Sequence, residues 1–492
     1  MAFENLEPRE VFHFFEEICR IPHGSGNVQN ISDYLVSFAR ERGLDVIQDE
    51  ELNVIIKDPG SAGYEDKEPV ILQGHMDMVA VKEEGADIDM KVDGLKTATD
   101  GEFVWAEGTS LGGDDGIAVA YCLALLDSKD IPHPPLEVVI TTNEETGMYG
   151  ATAIDLSSLK GRKMINIDNE EEGVFITSCA GGARVYSELL VGKKRVTGVR
   201  AVVKVSGLLG GHSGEMIIKG RGNANIILAR VLLEAMDCSL FGLVDLRGGV
   251  ADNAIPSEAE AVVIVNEEDY KAFIYSIKAS TNDILGELEI KDPGLKITIN
   301  GNELVDEQSI NTLFNFEDEK ELVVISEDTK KILSLICTLP DGVQAMSASV
   351  EGLVETSLNL GIMKMEDSRV VLEQSVRSSV ESSKEFLIRR LTRLGRSFGA
   401  VVDVSGVYPG WKYKEMSPLR DHMVEVYEEM YGRKPKLEAI HAGLECGILS
   451  SKIHGLDCIS IGPDMQDIHS TGEKLSVKST SNVWEYLKAV LK

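Results

Sequence analysis

The fold is decided by two similar stretches, PVILQGHMDM at residues 69–78 and LEVVITTNEETG at 136–147. In each, a short apolar run rich in β-branched residues leads directly into acids, and runs of this kind suit strands buried on both faces. A third run of this form is KMINID at 163–168, and a helix-like segment, GIAVAYCLALL at 116–126, lies between the first two. Strand and helix signals therefore alternate, which predicts an α/β domain with a mostly parallel central sheet.

The chain has 492 residues and is too long for one hydrophobic core, because cores stop growing at roughly 250–300 residues. From about 187 to 405 the pattern changes to strand, helix, strand units, with helix-like runs at 223–236, 271–285 and 383–398. After this region, the helix-like run at 416–432 and the strand-like CISIGP at 458–463 return to the pattern of the first domain, and the strand can join its sheet. We therefore expect a discontinuous domain over 1–186 and 406–492, interrupted by an inserted α+β domain over 187–405.

Acids dominate the charged residues, with 81 Asp and Glu against 49 Lys and Arg and a net charge of −32. Such a charge repels phosphate backbones and anionic membrane surfaces, so we expect neither a nucleic-acid nor a membrane partner. Charges interrupt every apolar run of the N-terminal MAFENLEPREVFHFFEEICR. The cysteines are odd in number, seven, and form no CxxC pair, which indicates reduced thiols. These features predict a cytoplasmic protein.

Histidines and acids gather where the strand-like runs end. In open α/β sheets the ligand site lies beyond the carboxyl ends of the strands, so these side chains are expected to meet there. Each one alone has an ordinary explanation, such as a helix cap or a solvated loop. Five such coincidences together favour a metal site. The candidate residues are His75, Asp77, Asp114, Glu144, Glu145, Asp168 and His469.

The donor types indicate which metals would bind. Nitrogen and oxygen ligands without cysteine fit Zn²⁺, Mn²⁺ or Co²⁺, and of these we expect Zn²⁺. The candidate ligands suffice for two cations, each with one histidine and one terminal carboxylate. Such cations would lie roughly 3.5–4 Å apart and share one bridging Asp and a bridging water. If one of the adjacent Glu144 and Glu145 is a ligand, the other is placed to act as a general base on that water. The composition of the site therefore predicts metal-assisted hydrolysis.

The motifs GHMDM, LGGDDG, NEETG, INID and IGPDMQDIHS together resemble the M20 family of metallopeptidases. The stretches LEPREVFHFFEEICRIPHGSG, GLLGGHSG and LRGGVADNAIPSEA resemble its aminoacyl-histidine dipeptidase branch, and the resemblance spans nearly the whole chain. It implies a catalytic domain interrupted by a lid domain. It also implies a dipeptide substrate, with a preference for Xaa-His that includes β-alanyl-histidine, and it allows a homodimer formed through the lid.

The resemblance implies a division of the metal ligands. His75 and Asp168 would hold one metal, and Glu145 and His469 would hold the other. Asp114 would bridge the two metals. Many family members carry Asn, Met or Lys after the bridging residue, whereas this chain has a second aspartate there. The assignment of the bridge to the first aspartate therefore rests on motif position.

The resemblance also implies catalytic and substrate-binding roles. Asp77 would orient His75, and Glu144 would be the general base. A lid histidine in relatives reaches an oxygen of the substrate or transition state, and GGHSG supplies such a histidine here. The residues expected to contact the substrate are His212, Asn253, Arg377 and His441.

Other functions share parts of this pattern. An M20 tripeptidase, aminoacylase or deacylase would have the same metal set and differ in the amide that it cuts. A catalytically silent metal-binding scaffold is a different class, but metal binding alone does not require Glu144 beside the ligand Glu145. A metallophosphatase is disfavoured, because no cluster of Arg or Lys lies near the acidic motifs to bind phosphate.

Overall fold

The structure is a computed structural model that describes residues 2–304, 312–313 and 318–492. The chain divides into two compact units. Unit 1 comprises Met1–Cys179, Tyr413–Ala439 and Leu444–Lys492. Unit 2 comprises Ala180–Lys412 and Ile440–Gly443.

The main boundaries between the units lie after Cys179 and after Lys412, whereas the sequence predicts them at 186/187 and 405/406. The difference comes from strand pairing. Strand Gly181–Leu190 pairs with strand Arg369–Ser378 and with strand Val401–Tyr408, so all three belong to the sheet of unit 2. Apolar runs mark strands in a sequence, but they do not say which sheet a strand joins.

Unit 1 is a mixed α/β structure. Its helices are Arg9–Cys19, Gln29–Glu41, Gly113–Asp127, Tyr149–Ala153, Pro418–Tyr431, Glu445–Lys452 and Val477–Leu491. The strands in and beside it are Asp45–Gln48, Val54–Asp58, Val70–His75, Thr97–Thr99, Phe103–Ala106, Leu136–Thr141, Lys163–Asn166, Val174–Cys179, Lys436–Ile440, Asp457–Ser460, Met465–Gln466 and Lys474–Ser476.

The centre of unit 1 is an eight-stranded sheet. Four neighbouring strands in it are parallel, and their carboxyl ends share one edge of the sheet. They lie in the order Leu136–Thr141, Val70–His75, Lys163–Asn166 and Asp457–Ser460. The strand pairs that flank these four are antiparallel where their register is described. The expected α/β fold with a mainly parallel centre is confirmed.

The helix Gly113–Asp127 packs against strand Val70–His75 and helix Arg9–Cys19. From Gly116 to Leu126 it is apolar on all sides, as expected of a helix that is enclosed by the core. At one point it approaches the strand so closely that only glycine fits: a Cβ on Gly74 would lie 2.5 Å from Asp115 Oδ2 and 2.6 Å from Ala118 Cβ. This contact brings the start of the helix to the end of the strand.

Unit 2 is an α+β structure built on an antiparallel sheet. The main path of this sheet runs through Asn302–Glu303, Lys296–Ile299, Lys193–Ser206, Ala259–Val265, Phe241–Gly248, Val354–Glu366, Arg369–Ser378, Gly181–Leu190 and Val401–Tyr408. Strands Asp318–Val324 and Gly342–Met346 pair beside it. Among the described residues of this unit, the α-helices are Ala224–Ala235, Tyr270–Leu288, Ser326–Thr338 and Glu381–Ser397, with 3-10 turns at Ile217–Lys219 and Glu267–Asp269. A separate small sheet pairs Gly211–His212 with Ala254–Ile255.

All seven cysteines are free, and five of them are buried, whereas Cys238 and Cys337 are exposed. Within the part of the chain that the structure describes, no helix combines the length and the apolar character needed to cross a bilayer.

A buried polar network ties three of the parallel strands together. Glu445 Oε2 accepts hydrogen bonds from Gln73 Nε2 at 2.5 Å and from Thr141 Oγ1 at 2.6 Å. Gln73 Oε1 in turn accepts one from Asn166 Nδ2 at 2.6 Å. Burial raises the pKa of Glu445 to about 7, although His75 and the hydrogen bond from Thr141 oppose the shift. The network therefore places a weakly acidic carboxyl behind the strand ends.

Replacing Glu445 with Gln is expected to flatten the pH dependence of stability. The folded protein holds a proton on Glu445 up to about pH 7, whereas the unfolded chain releases it near 4.5. The wild type therefore loses stability as pH rises through this window, by about 3 kcal/mol in total, and Glu445→Gln lacks this loss. Chemical denaturation from about pH 5 to about pH 8, with a chelator present, measures the effect.

The exposed Glu429 provides the control, and Glu429→Gln is expected to keep the wild-type profile. Parallel stability profiles for wild type and Glu445→Gln would contradict the prediction.

Candidate metal centre

Asp114 lies between two histidines. Its Oδ1 is 3.1 Å from His75 Nε2, and its Oδ2 is 3.0 Å from His469 Nε2. His75 is the last residue of its strand, whereas His469 lies at the tip of the hairpin between Met465–Gln466 and Lys474–Ser476. The two oxygens of one carboxylate therefore face two imidazoles from distant parts of the sequence.

One further carboxylate lies beside each histidine. Asp168 Oδ1 is 3.8 Å from His75 Nε2, and Glu145 Oε1 is 3.0 Å from His469 Nε2. The ligand atoms of His75, Asp114 and Glu145 lie within 4.8 Å of one another. The structure thus brings together all five residues that the sequence indicates as metal ligands.

Asp115 forms a second close group with His75 and Asp168, whose ligand atoms also lie within 4.8 Å of one another. Asp115 Oδ2 accepts a hydrogen bond from the backbone N–H of His75 at 3.1 Å. Both oxygens of Asp114, in contrast, face histidine side chains. Proximity alone does not separate the two aspartates, but among the described contacts only Asp114 faces both histidines.

Asp77 connects His75 to the loop that carries Glu144. His75 Nδ1 lies 2.9 Å from the backbone oxygen of Asp77 and 3.6 Å from its Oδ1, so the main chain is the nearer partner. The same Oδ1 accepts a hydrogen bond from the backbone N–H of Glu144 at 3.0 Å, and Oδ2 accepts one from Ser25 Oγ at 2.8 Å. With Nδ1 occupied in this way, the ring directs Nε2 towards Asp114.

The electrostatics of the centre favour positive charge. Burial opposes the charged form of His75, but hydrogen bonds with Asp114 and Asp77 outweigh it and raise its pKa. A hydrogen bond with Asp114, together with Glu145, raises the pKa of His469 to about 10. Burial opposes ionisation of Asp114, yet the two histidines lower its pKa.

Two other acids of the centre shift in the opposite direction. Burial raises the pKa of Asp168, and the charge of Asp115 adds to the shift. Burial also raises the pKa of Glu144 to about 8, against the influence of His75 and with that of neighbouring carboxylates. The centre therefore holds more carboxylates than its own histidines can neutralise.

The donor set fits divalent cations. Imidazole nitrogens and carboxylate oxygens converge without cysteine, as at zinc, manganese and cobalt sites. Glu145 Oε1 is buried, and no described residue gives it a hydrogen bond although His469 Nε2 is 3.0 Å away. Once the histidine gives up its proton, both atoms can present a lone pair to the same cation, as metal binding at such sites requires.

Some supporting residues are not found by sequence reasoning. Ser25 holds Asp77, Glu445 ties the strands, and Glu473 accepts hydrogen bonds from backbone N–H groups of residues 111–113. In the sequence, Glu473 is marked only as an acid four residues after His469, and Ser25 only as a serine in a glycine-rich stretch. Neither pattern indicates a particular partner.

The four residues expected to contact substrate lie in unit 2. His212 belongs to the small two-stranded sheet, next to Asn253, whose carbonyl accepts a backbone hydrogen bond at 2.8 Å from the residue after His212. His441 Nε2 lies 2.7 Å from Ser357 Oγ, and Ser357 pairs across two strands with Arg377. The structure therefore places His212 beside Asn253, and it places His441 beside the strand pair that carries Ser357 and Arg377.

The charge of Arg377 influences both histidines of unit 2. Burial lowers the pKa of His441 to about 3, and Arg377 contributes to the shift. Burial and Arg377 also lower the pKa of His212. The backbone N–H of Glu215 points to His212 Nδ1 at 3.4 Å, which in the neutral ring leaves the proton on Nε2. Arg377 Nε is buried and has no hydrogen-bond partner among the described residues.

Comparisons with known proteins identify the family of the chain. The model of peptidase family M20/M25/M40 matches residues 71–492. The cytosol non-specific dipeptidase of Escherichia coli (strain K12) is 35% identical over 489 residues, which is 99% of this chain and 98% of that protein. The crystal structure of aminoacylhistidine dipeptidase from Vibrio alginolyticus, also 35% identical, matches with a TM-score of 0.89 over 100% of this chain and 98% of that one.

A Bacillus cereus aminopeptidase, 15% identical with a TM-score of 0.54 over 99% of this chain and 98% of that one, shares the fold. The family that the sequence motifs indicate is therefore confirmed by the match of residues 71–492 and by two full-length relatives. The chain belongs to peptidase family M20/M25/M40.

Proposed function

We propose that this chain is a dipeptidase that uses two divalent cations to cleave a peptide bond. One observation carries the proposal: the two oxygens of Asp114 face His75 and His469 at 3.1 and 3.0 Å, and each histidine has a second carboxylate beside it. A carboxylate with one oxygen towards each histidine is arranged to bridge a pair of cations. The names of the two 35% identical relatives, both dipeptidases, support the same reaction.

The proposed assignment gives each cation one histidine and one terminal carboxylate. His75 and Asp168 hold one cation, His469 and Glu145 hold the other, and Asp114 bridges them. Asp115 is left out of the assignment, because its Oδ2 already binds the backbone N–H of His75. We propose Zn²⁺ as the metal, since tetrahedral sites of nitrogen and oxygen ligands suit it.

Glu144 is the proposed general base and general acid. When bound, the two cations would lower the pKa of a water molecule and polarise the carbonyl of the peptide bond. Glu144 then takes a proton from the attacking water and passes it to the amine that leaves. Its pKa of about 8 falls when positive charge is placed nearby, which brings it towards the range in which a base works at neutral pH. Asp77 fixes the main chain of Glu144 through the 3.0 Å hydrogen bond.

The substrate would be recognised by residues of unit 2. A neutral His212 with its proton on Nε2 can donate a hydrogen bond to the carbonyl oxygen as negative charge develops there, from this chain or from a partner chain. Arg377 offers a buried guanidinium that matches a carboxylate in geometry, so we assign it to the C-terminal carboxylate of the substrate. Asn253 and His441 complete the proposed contacts.

We further propose that the enzyme prefers Xaa-His dipeptides and excludes longer peptides. The relatives differ here, since one is named a non-specific dipeptidase and the other an aminoacylhistidine dipeptidase. A pocket that pairs both the free amine and the free carboxylate measures substrate length. A cytoplasmic location, as in the name of the Escherichia coli relative, and a homodimer formed through the lid domain are part of the proposal.

Glu144→Gln is expected to separate catalysis from metal binding. The general base is not a ligand, so the variant keeps its metal while kcat falls by about 10²–10⁴-fold. Glu145→Gln, one residue away, is the matched variant and should lose one cation per chain. Elemental analysis and steady-state kinetics measure the two properties, and equal loss of metal from both variants would refute the division of roles.

A substrate panel tests the reaction itself. Protein treated with chelator and then reloaded with Zn²⁺ is given dipeptides, N-acetylated and amidated dipeptides, tripeptides and acylated amino acids. Free dipeptides should be cleaved fastest, with Xaa-His first among them, and metal-free protein should be inactive. In His212→Ala, kcat should fall by about 10²–10³-fold with little change in KM, because the lost hydrogen bond acts on the transition state.

Equal rates on blocked or extended peptides would favour a tripeptidase or deacylase instead. Full turnover by demonstrably metal-free protein would remove the metal mechanism altogether.

A further inference from the structure

Glu473 joins the two chain segments that carry Asp114 and His469. The residue is buried, with 3% of its surface exposed. Its two carboxylate oxygens accept hydrogen bonds from three consecutive backbone N–H groups, those of residues 111–113, at 2.7, 3.1 and 2.7 Å. Glu473 itself follows His469 by four residues in the same hairpin. One carboxylate thus holds the loop before Asp114 against the segment that carries His469.

The local backbone does not fix Asp114 by itself. Although the helix spans Gly113–Asp127, Asp114 and Asp115 have non-helical dihedral angles, and Gly112 before them is left-handed with a φ of +69°. No side chain at the N-cap position bonds the first N–H groups of the helix, which have no partner within the helix. Glu473 supplies an acceptor to the first of these groups, that of Gly113, and to the two residues before the helix, from up to 362 residues away in the sequence.

We propose that Glu473 is a positioning residue of the metal centre: by binding residues 111–113, it sets where Asp114 lies relative to His469. The inference rests on the proposed two-cation site. If Asp114 is to bridge two cations, its oxygens must face both histidines at once, and one of those histidines lies on a hairpin. The Glu473 carboxylate connects that hairpin to the loop before Asp114, so it fixes the position of the bridging carboxylate relative to His469.

The chemistry of the contact is specific to a carboxylate. A carboxylate only accepts hydrogen bonds, so both of its oxygens can serve backbone N–H groups. Glutamine would direct an NH₂ group at one of these donors and leave a buried N–H without a partner. Burial raises the pKa of Glu473, the three backbone hydrogen bonds oppose the shift, and the charge of Asp114 adds to it. A carboxylate so close to other acids is retained here at an electrostatic cost.

Glu137 provides a matched control in the same unit. It is also buried, with 5% exposed, and its carboxylate accepts backbone hydrogen bonds from Lys160 and Gly161 at 2.8–3.0 Å. It lies at the start of strand Leu136–Thr141, the end away from Glu144. Glu137→Gln therefore removes the same kind of interaction without touching a loop that carries a metal ligand.

The test compares the metal affinity of wild type, Glu473→Gln and Glu137→Gln. Metal-free protein is titrated with Zn²⁺ in competition with a chelating indicator, and thermal unfolding of the metal-free forms is recorded in parallel. Wild type should bind two Zn²⁺ per chain. Glu473→Gln should bind Zn²⁺ about 10–100-fold more weakly, as is typical when a residue that orients a ligand is changed. Glu137→Gln should lose stability and keep the wild-type affinity.

The outcomes separate this inference from the proposed function. Wild type that binds no Zn²⁺ would overturn both. Wild type that binds two Zn²⁺ while Glu473→Gln binds them equally well would overturn only the positioning role, as would an equal loss of affinity in Glu137→Gln. If Glu473→Gln does not fold, Glu473→Asp takes its place, because its shorter side chain cannot reach all three N–H groups. Unchanged affinity in that variant would also overturn the inference.

Discussion

The acids and histidines around Asp114 occupy a volume too small for their charges to be independent. Two like charges about 4 Å apart repel by roughly 4 kcal/mol at the effective dielectric constant of a protein surface, and by more inside. The pKa values show how the centre responds: that of Asp114, between the two histidines, is lowered, while those of Glu144 and Asp168 are raised. A centre of this kind needs added positive charge, and the surrounding structure is arranged to receive it.

The scaffold meets this requirement by combining a rigid sheet edge with loops that are tied to it. His75 comes directly from the sheet, and the polar network through Glu445 joins the strands behind it. Asp77 and Glu473 then connect the loops, one holding the main chain of Glu144 and the other the segment before Asp114. Side chains outside the proposed ligand set therefore connect the segments that carry the ligands.

Sequence patterns predict the parts of this arrangement that depend on local order. Buried apolar runs ending in His75 and in the Glu144–Glu145 pair place these residues at strand ends, because buried strands and their termini leave a clear pattern. Asp168 lies two residues beyond its strand. The regular part of the helix begins after the non-helical Asp114 and Asp115, where the apolar run from Gly116 predicts it. The role of Glu473 leaves no such pattern. Its partners are backbone N–H groups, which nearly every residue has, and they are more than 350 residues away.

The two histidines differ in their access to solvent, since the side chain of His75 is 1% exposed and that of His469 is 44% exposed. A cation held by His469 would lie near the solvent, whereas a cation held by the buried His75 would lie further from it. The two ions would therefore exchange with the surrounding solution at different rates. In the proposed two-cation site, the position beside His469 would therefore be the one that a chelator in the solution reaches first.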